Sequence, residues 1–399
     1  MSVTAAKGFR AAGVVAGLKE SGKPDLALVV NDGPLDVAAG VFTTNRVVAA
    51  PVVWSRNAVA DGTARAVILN SGSANACTGE RGATDARATA EYLAGVLSSQ
   101  PGAAPVDATD VLVCSTGVIG APIDMPVLLA GASAAVAALD ASAEAAHRAA
   151  TAIMTTDTVS KEDALTLEGP AGTWSLGGMI KGVGMLAPGM ATMLCVLTTD
   201  AVVTADDARA ALVAAAARTV NRINSDGCMS TNDTVLLLAS GGSGVAPEQE
   251  ELDDAVAEVL GRLGRRLVAD AEGATHDIAI TVSGAVSEEA AEAAARTVSA
   301  SNLLKCAVAG NDPNWGRVLS QIGTVPEEVC PFDPEEVDVA VNGVTIFRHG
   351  GLGEDRGLVD MTPRETRIDI ALHHGAAEAT VWTNDLTHGY VTINADYTT

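Results

Sequence analysis

The chain has 399 residues, of which 48% are hydrophobic and only 3% aromatic, so it can fill one large or two smaller cores with aliphatic side chains. It carries 49 acidic and 25 basic residues, a net charge of −24. This charge argues against nucleic acids and anionic membranes as partners, because both bind to basic patches.

No metal site, disulfide or membrane anchor is predicted. The six cysteines lie far apart without CxxC spacing, and we interpret them as reduced core residues of a cytoplasmic protein. No apolar run reaches the roughly 18 residues of a membrane span, and residues 1–7 lack the order of a signal peptide. The histidines form no HExxH motif; His373 and His374 are expected to be exposed in a hairpin turn.

The N-terminal half alternates apolar runs with alanine-rich segments. Its apolar runs predict strands over 26–31, 40–44, 50–54, 66–70, 110–114, 164–168 and 173–181. Helical spacing predicts helices over 84–97, 126–139 and 143–154. The strand that ends at Cys114 leads into the turn Ser115-Thr116-Gly117.

The segment from Lys181 to Asp200 is the most informative part of the chain. A loop rich in glycine, with Pro188-Gly189, leads into an apolar strand, and Thr192 follows the small residue Ala191 at the junction. A threonine hydroxyl becomes a useful nucleophile beside a base, and its own α-amine is such a base once the chain is cut before it. Without further information, Thr192 would simply begin a buried strand. The G-x-G-x-x-A pattern at 182–187 does not indicate a dinucleotide site, since no helix can follow it.

The C-terminal half has the same mixed character. Thr204 is a predicted N-cap of a helix to about 223, and Ser287 of a helix to about 304. A further helix is predicted over 250–271. Strands are predicted over 234–239 and 276–282, in a hairpin 337–347 around Asn342-Gly343, and in a pair formed by 367–372 and 379–383. This order of elements predicts an α+β fold.

Several blocks, in order along nearly the whole chain, resemble the ornithine acetyltransferase / glutamate N-acetyltransferase (ArgJ) family of arginine biosynthesis. They are the segments 8–13, 66–79, 114–120, 153–157, 181–200, 230–234, 310–317 and 390–399. One departure is visible: His276 stands where the family commonly has lysine. It leaves any role for a cation at 276 open and Glu272 untouched.

The resemblance implies a layered αββα sandwich, like that of aminopeptidase DmpA and ornithine acetyltransferase, with a smaller α+β C-terminal subdomain. It implies self-cleavage between Ala191 and Thr192 into an α chain, 1–191, and a β chain, 192–399, that stay associated. The subdomain would span about 275–385, and the tail 386–399 would return to the active site. Two α and two β chains would form a heterotetramer.

The resemblance also implies the roles of particular residues. Thr192 would be the nucleophile, and Thr116 and Gly117 would form the oxyanion hole. The implied substrate-binding residues are Thr155, Lys181, Thr192, Glu272, Asn394 and Thr399. Charge fits these roles, because Lys181 can hold a carboxylate and Glu272 an ammonium group. Taken alone, the Ser-Thr-Gly segment reads as a strand-ending turn, Lys181 as a surface lysine and Glu272 as a solvated helix end.

The implied reaction is ping-pong transfer of acetyl from N2-acetylornithine to glutamate, which gives ornithine and N-acetylglutamate. No metal or organic cofactor is implied, and whether acetyl-CoA also serves as a donor stays open. A nearer alternative is a self-processed N-terminal-nucleophile amidase or aminopeptidase, in which water resolves the acyl-enzyme. A more distant alternative is a binding protein that remains one uncut chain.

Overall fold

Fifteen strands and ten helices are formed by the part of the chain that this computed structural model describes, residues 2–169, 172–186 and 193–396. The strands are β1 Phe9–Val14, β2 Leu26–Asn31, β3 Val37–Phe42, β4 Ala66–Asn70, β5 Val111–Ser115, β6 Lys161–Gly169, β7 Gly172–Lys181, β8 Leu194–Thr199, β9 Thr234–Ala239, β10 Asp277–Ala285, β11 Asp338–Val341, β12 Val344–Arg348, β13 Gly351–Leu352, β14 Glu365–Ala371 and β15 Ala377–Asn384. The helices are α1 Ala50–Ala58, α2 Gly79–Ser98, α3 Met125–Ala137, α4 Ala143–Ala152, α5 Ala205–Arg218, α6 Gln249–Ala269, α7 Glu288–Ser299, α8 Asn302–Ala309, α9 Trp315–Ile322 and α10 His388–Asp396.

Two sheets pack face to face. The first has the order β1-β2-β4-β5 and the second β3-β9-β8-β7-β6. Strands β4 and β5 are parallel, as are β8 and β9, and the other neighbours in these sheets are antiparallel. Side chains such as Val29 and Leu69 from the first sheet share one core with Val196 and Leu236 from the second.

Helices cover the outer faces of both sheets. Helices α2 and α3 pack on the first sheet, and α5 and α6 pack on the second. All residues of β2, β4, β8 and β9 are therefore buried, as expected for strands covered on both sides. The arrangement is the layered αββα sandwich, and the predicted α+β class is confirmed.

A third sheet, with the order β13-β12-β11-β14-β10-β15, has its own core with α7, α8 and α9. In β10, Ile278, Ile280 and Val282 are buried on one face, which is the predicted alternation. The Asn342-Gly343 turn joins β11 and β12 with positive φ at both residues, as a type I′ turn requires. This sheet lies within the predicted C-terminal subdomain, whose boundaries stay a prediction.

The prediction of a strand over 50–54 was wrong, because this segment begins α1. Pro51 occupies the first turn, where its missing N–H costs nothing, and Pro51, Val52, Ser55 and Ala58 are buried. A run of five apolar residues does not distinguish a strand from the start of a buried helix.

The predicted pairing of 367–372 with 379–383 was also wrong. Strands β14 and β15 lie on either side of β10, which is parallel to β14 and antiparallel to β15. His373 and His374 are exposed as predicted, but they lie in a connection that crosses β10 rather than in a hairpin turn. The helix predicted from Ser287 to about 304 ends at Ser299, and Ser301 caps a new helix, α8.

The cysteines divide into two groups. All six are free, but only Cys114, Cys195 and Cys330 are buried, while Cys77, Cys228 and Cys306 are exposed. The prediction that they are core residues was therefore correct for half of them. Apolar neighbours in the sequence do not bury a side chain that lies in a surface loop, as Cys77 and Cys228 do, or on the outer face of a helix, as Cys306 does in α8. Among the described residues no helix is long and apolar enough to cross a membrane.

Candidate active site

The sequence-predicted residues come together at one end of the two facing sheets. Lys181 is the last residue of β7 and pairs with Leu194, the first residue of β8. Thr116 follows β5 of the opposite sheet directly, so the two sheets bring it to the same place. Ala191 and Thr192 lie outside the described residues, and the chain resumes at Met193, directly before β8.

Lys181 lies at the centre of this site and is 2% exposed. Its Nζ donates hydrogen bonds to Thr155 Oγ1 at 2.9 Å and to Thr116 Oγ1 at 3.3 Å. Burial lowers the pKa of Lys181, and the negative charge of Asp157 opposes that effect. The interpretation of Lys181 as a surface lysine does not hold, because the side chain points into the protein.

Asp157 fixes the backbone next to Lys181. Its Oδ1 accepts hydrogen bonds from the Gly182 N–H (2.8 Å) and from Lys161 Nζ (2.7 Å), and its Oδ2 accepts one from the Thr155 N–H (2.9 Å). Burial pushes the pKa of Asp157 upward, but Lys181 and Lys161 outweigh burial and lower the pKa to about 2. The buried carboxylate is therefore charged at neutral pH and ties the start of the loop that contains the predicted cut.

The turn at Thr116 and Gly117 is held by buried amides. Asn232 Nδ2 donates to the Ser115 carbonyl (2.8 Å) and to the Ala74 carbonyl (2.6 Å). Gly117 has φ +128°, and a Cβ there would lie 2.6 Å from a backbone carbon of Gly72. Only glycine fits such a close approach.

Glu272 joins the loop after β7 to the C-terminal helix. Its Oε1 accepts a hydrogen bond from Thr156 Oγ1 and its Oε2 one from Asn394 Nδ2, both at 2.9 Å. Its backbone N–H donates to the Val183 carbonyl at 3.1 Å. Asn394 on α10 is thus brought to Glu272, whereas Thr399 lies outside the described residues.

A small cavity of about 110 Å³ opens beside Glu272. Polar side chains of both charges line it, and they include Asn224, Asp226, Lys305, Asp385 and Tyr390. Burial lowers the pKa of Lys305 to about 8 and raises that of Tyr390 to about 12. The space lies between the loop after β7 and the tail, where an amino-acid side chain could extend.

His276 does not line this cavity. Its ring is buried, with Nδ1 at 2.9 Å from Asp385 Oδ2 and Nε2 at 3.1 Å from the Met361 carbonyl oxygen. His276 instead contacts the side chain of Asp385, which does line the cavity.

Four polar residues of the site were not singled out from the sequence: Asp157, Lys161, Asn232 and Asp233. Three of them stand inside the blocks 153–157 and 230–234 that carried the resemblance. Their position in those blocks could have marked them as candidate site residues. The sequence does not show which groups they hydrogen-bond, however, because most of those partners lie far away along the chain. Among the described residues, no group of three or more His, Cys, Asp and Glu side chains could hold a metal ion.

The loop after β7 contains the G-x-G-x-x-A pattern of residues 182–187, which in a dinucleotide site would begin a helix. Residues 182–186 form bends and an isolated bridge to Met229, and no helix starts there. The described part of the pattern thus lacks the helix N-terminus that would bind a phosphate.

Residues 10–399 match the model of the ArgJ family. The chain is 60% identical over 399 residues to the arginine biosynthesis bifunctional protein ArgJ of Bifidobacterium longum, and 54% identical over 397 residues to that of Streptomyces coelicolor; both alignments cover all of each chain. An ornithine acetyltransferase from Mycobacterium tuberculosis, solved in complex with ornithine, is 51% identical with a TM-score of 0.45. That match covers 48% of this chain and 96% of the other.

Proposed function

Because this chain belongs to the ArgJ family, we propose that it is a self-processing acetyltransferase of arginine biosynthesis. It moves an acetyl group from N2-acetyl-L-ornithine to L-glutamate and releases ornithine and N-acetylglutamate. The observation that supports this most directly is the position of Lys181. It touches both Thr116 and Thr155 and pairs with the first residue of β8, two positions after Thr192.

Maturation is the first step. Thr192 Oγ attacks the carbonyl carbon of Ala191, and the ester that forms is split by water into the two chains. The tetrahedral intermediate needs donors for its oxyanion, for which Thr116 and Gly117 are the candidates. The product has a free α-amine at Thr192. Its ordinary pKa of about 8 suits a general base at neutral pH.

Acetyl transfer then follows a ping-pong route. The α-amine accepts the Thr192 hydroxyl proton, Oγ takes the acetyl group from acetylornithine, and ornithine leaves. The amino group of glutamate attacks the acetyl-threonine in the second half. Lys181 is proposed to bind a substrate carboxylate and Glu272 a substrate ammonium group, with Thr155, Asn394 and Thr399 as further contacts. The proposal includes a heterotetramer of two α and two β chains in the cytoplasm.

Acetyl transfer and hydrolysis are separated by one experiment. Purified protein is incubated with acetylornithine carrying a labelled acetyl group, with and without glutamate. We expect labelled N-acetylglutamate in the complete reaction and little free acetate without glutamate. Rapid acetate release without glutamate would identify an amidase instead. Replacement of acetylornithine by acetyl-CoA tests the second donor.

A further inference from the structure

A buried carboxyl group lies at the start of β8, beside the proposed cut. Asp233 has no exposed surface, and its Oδ1 accepts a hydrogen bond from the Met193 N–H at 2.9 Å. Within the described part of the chain, its other oxygen, Oδ2, has no hydrogen-bond partner. Leaving a buried polar atom without a partner costs about 1–3 kcal/mol, so such an atom calls for an explanation.

The surroundings of Asp233 favour its protonated form. Burial raises the pKa of Asp233 well above the usual range. The Met193 N–H, the charge of Lys181 and the Ser230 hydroxyl oppose that effect only in part. The other charged groups of the site act on Lys181: Asp157, Lys161 and Glu272. Asp233 can therefore hold a proton at a pH where an exposed aspartate has lost it.

We propose that Asp233 serves the nitrogen of residue 192, first as the acid that protonates it during self-cleavage and then as the carboxylate that holds the α-ammonium group. Consecutive Cα atoms are only about 3.8 Å apart, so the nitrogen of residue 192 belongs to the residue next to the Met193 N–H that Asp233 binds. The inference rests on the cleavage proposed above.

The proton balance of the cleavage step explains why an acid is needed. As Thr192 Oγ bonds to the carbonyl carbon of Ala191, the C–N bond breaks and the departing nitrogen must gain a proton. Asp233 gives its proton to this nitrogen, and the proton lost by the hydroxyl returns to the Asp233 carboxylate through water. Water then hydrolyses the ester, so no other reactant is required.

In the mature protein, the same carboxyl group would have a second use. Once Asp233 has given its proton to water it is a carboxylate, and it stabilises the cation that forms when the α-amine accepts the proton of the Thr192 hydroxyl. Nucleophile, base and orienting acid then stand in series, as in other activated hydroxyl sites. The orphaned oxygen of Asp233 is explained by this partner.

The test is the rate of self-cleavage in the full chain, which needs no substrate. Wild type, Asp233→Asn and Asp233→Glu are translated in a cell-free extract with a radioactive amino acid, then chased at several pH values and resolved on denaturing gels. Asp200→Asn is the matched control, because Asp200 is a buried aspartate at the opposite end of β8 that also binds backbone N–H groups. Circular dichroism checks that each variant is folded.

We expect Asp233→Asn to slow cleavage roughly 10²-fold or more, the usual worth of a positioned acid. Asp233→Glu should recover part of the rate, and Asp200→Asn should cut normally. Wild-type cleavage should slow at alkaline pH as the acid loses its proton. Normal cleavage of Asp233→Asn, or a wild-type rate that keeps rising with pH, would overturn the inference. An uncut wild type would instead overturn the proposed function.

Discussion

The Thr116 hydroxyl accepts a hydrogen bond from Lys181, so its own hydrogen remains available to another acceptor. An ammonium group can only donate, so Thr116 Oγ1 is the acceptor in their 3.3 Å contact. The hydroxyl hydrogen is then available to an oxyanion, and the nearby positive charge strengthens it as a donor. If Thr116 forms the proposed oxyanion hole, Lys181 therefore has an electrostatic effect on it in addition to the proposed contact with a substrate carboxylate.

Thr116→Val should lower kcat by about 10²–10³, the usual cost of one oxyanion donor, because valine keeps the shape and loses the hydroxyl. Steady-state kinetics of the cleaved variant measures this. Thr281→Val in β10 of the third sheet is the control and should retain normal turnover. A cleaved Thr116→Val protein with normal kcat would remove Thr116 from the oxyanion hole.

Glu272→Gln should lower kcat/KM for acetylornithine by about one to two orders of magnitude. A charge-assisted hydrogen bond contributes about 1.5–3 kcal/mol. In addition, Thr156 and Asn394 both donate to the Glu272 carboxylate, and the NH2 group of glutamine cannot accept either hydrogen bond. Self-cleavage should survive. Glu258→Gln on the exposed face of α6 serves as the control. Equal kcat/KM in both variants would make Glu272 a structural residue only.

At the scale of elements, the ends of β5 and β7 hold the site because buried polar groups fix their turns. The first is fixed by Asn232 and the second by Asp157. The segment after β5 also depends on glycine at two positions, for different reasons. Gly117 packs against the Gly72 backbone, whereas Gly120 has a positive φ in open space.

Gly117→Ala should therefore lose most self-cleavage and activity, because its Cβ would collide with backbone that cannot move cheaply. Gly120→Ala is matched for positive φ (+83°) and should cost only about 1 kcal/mol of stability. Thermal unfolding and gel-based cleavage assays compare the two. Equal behaviour of both variants would show that φ alone, and not the contact with Gly72, matters at 117.

Asp157 should make the fold sensitive to acid. Its pKa is lowered to about 2, so its stabilisation is complete above the unfolded pKa of about 4 and is lost as the pH falls toward 2. The difference corresponds to roughly 2.5 kcal/mol. Denaturant unfolding of wild type and Asp157→Asn between pH 6 and 2 should show a gap that closes with falling pH. A gap that is constant with pH would contradict this assignment.

At the scale of the whole molecule, the sandwich carries Thr116 and Lys181, while the tail adds Asn394 to Glu272. Helix α10 has no buried residue among those described, so it adds little to the core. Under the proposed function, α10 would contribute to substrate binding rather than to folding.

Removal of residues 388–399 should leave self-cleavage intact and raise KM for acetylornithine, since Glu272 loses Asn394. Asn394→Ala alone should give a smaller effect in the same direction. Kinetics and N-terminal sequencing of both variants check this. A truncated protein that is not cut would show instead that the tail is needed for maturation.

Apolar runs and turn residues in the sequence predicted most helices and strands. The wrong strand pairing depends on contacts between residues far apart in the chain. Strand β9 and the Asn342-Gly343 hairpin follow from apolar runs and turn residues. The position of β10 between β14 and β15 could not be predicted, because β10 lies about ninety residues earlier in the chain. At the site, the family blocks pointed to Thr116 and Lys181. The buried partners Asp157 and Asp233 required the fold, since their role depends on which oxygens find donors.

The central position of β8 has a consequence for how the mature protein unfolds. Strand β8 and its parallel neighbour β9 would belong to one cleavage product, while β7 and β3 on either side would belong to the other. Unfolding of the precursor is unimolecular, but unfolding of the cut protein separates two interleaved polypeptides. Its melting temperature should then rise with protein concentration, and its refolding should become second order. Cleavage would thus make the protein active but would also make its refolding depend on the encounter of two chains. The fold would therefore have to form in the intact precursor, before the cut.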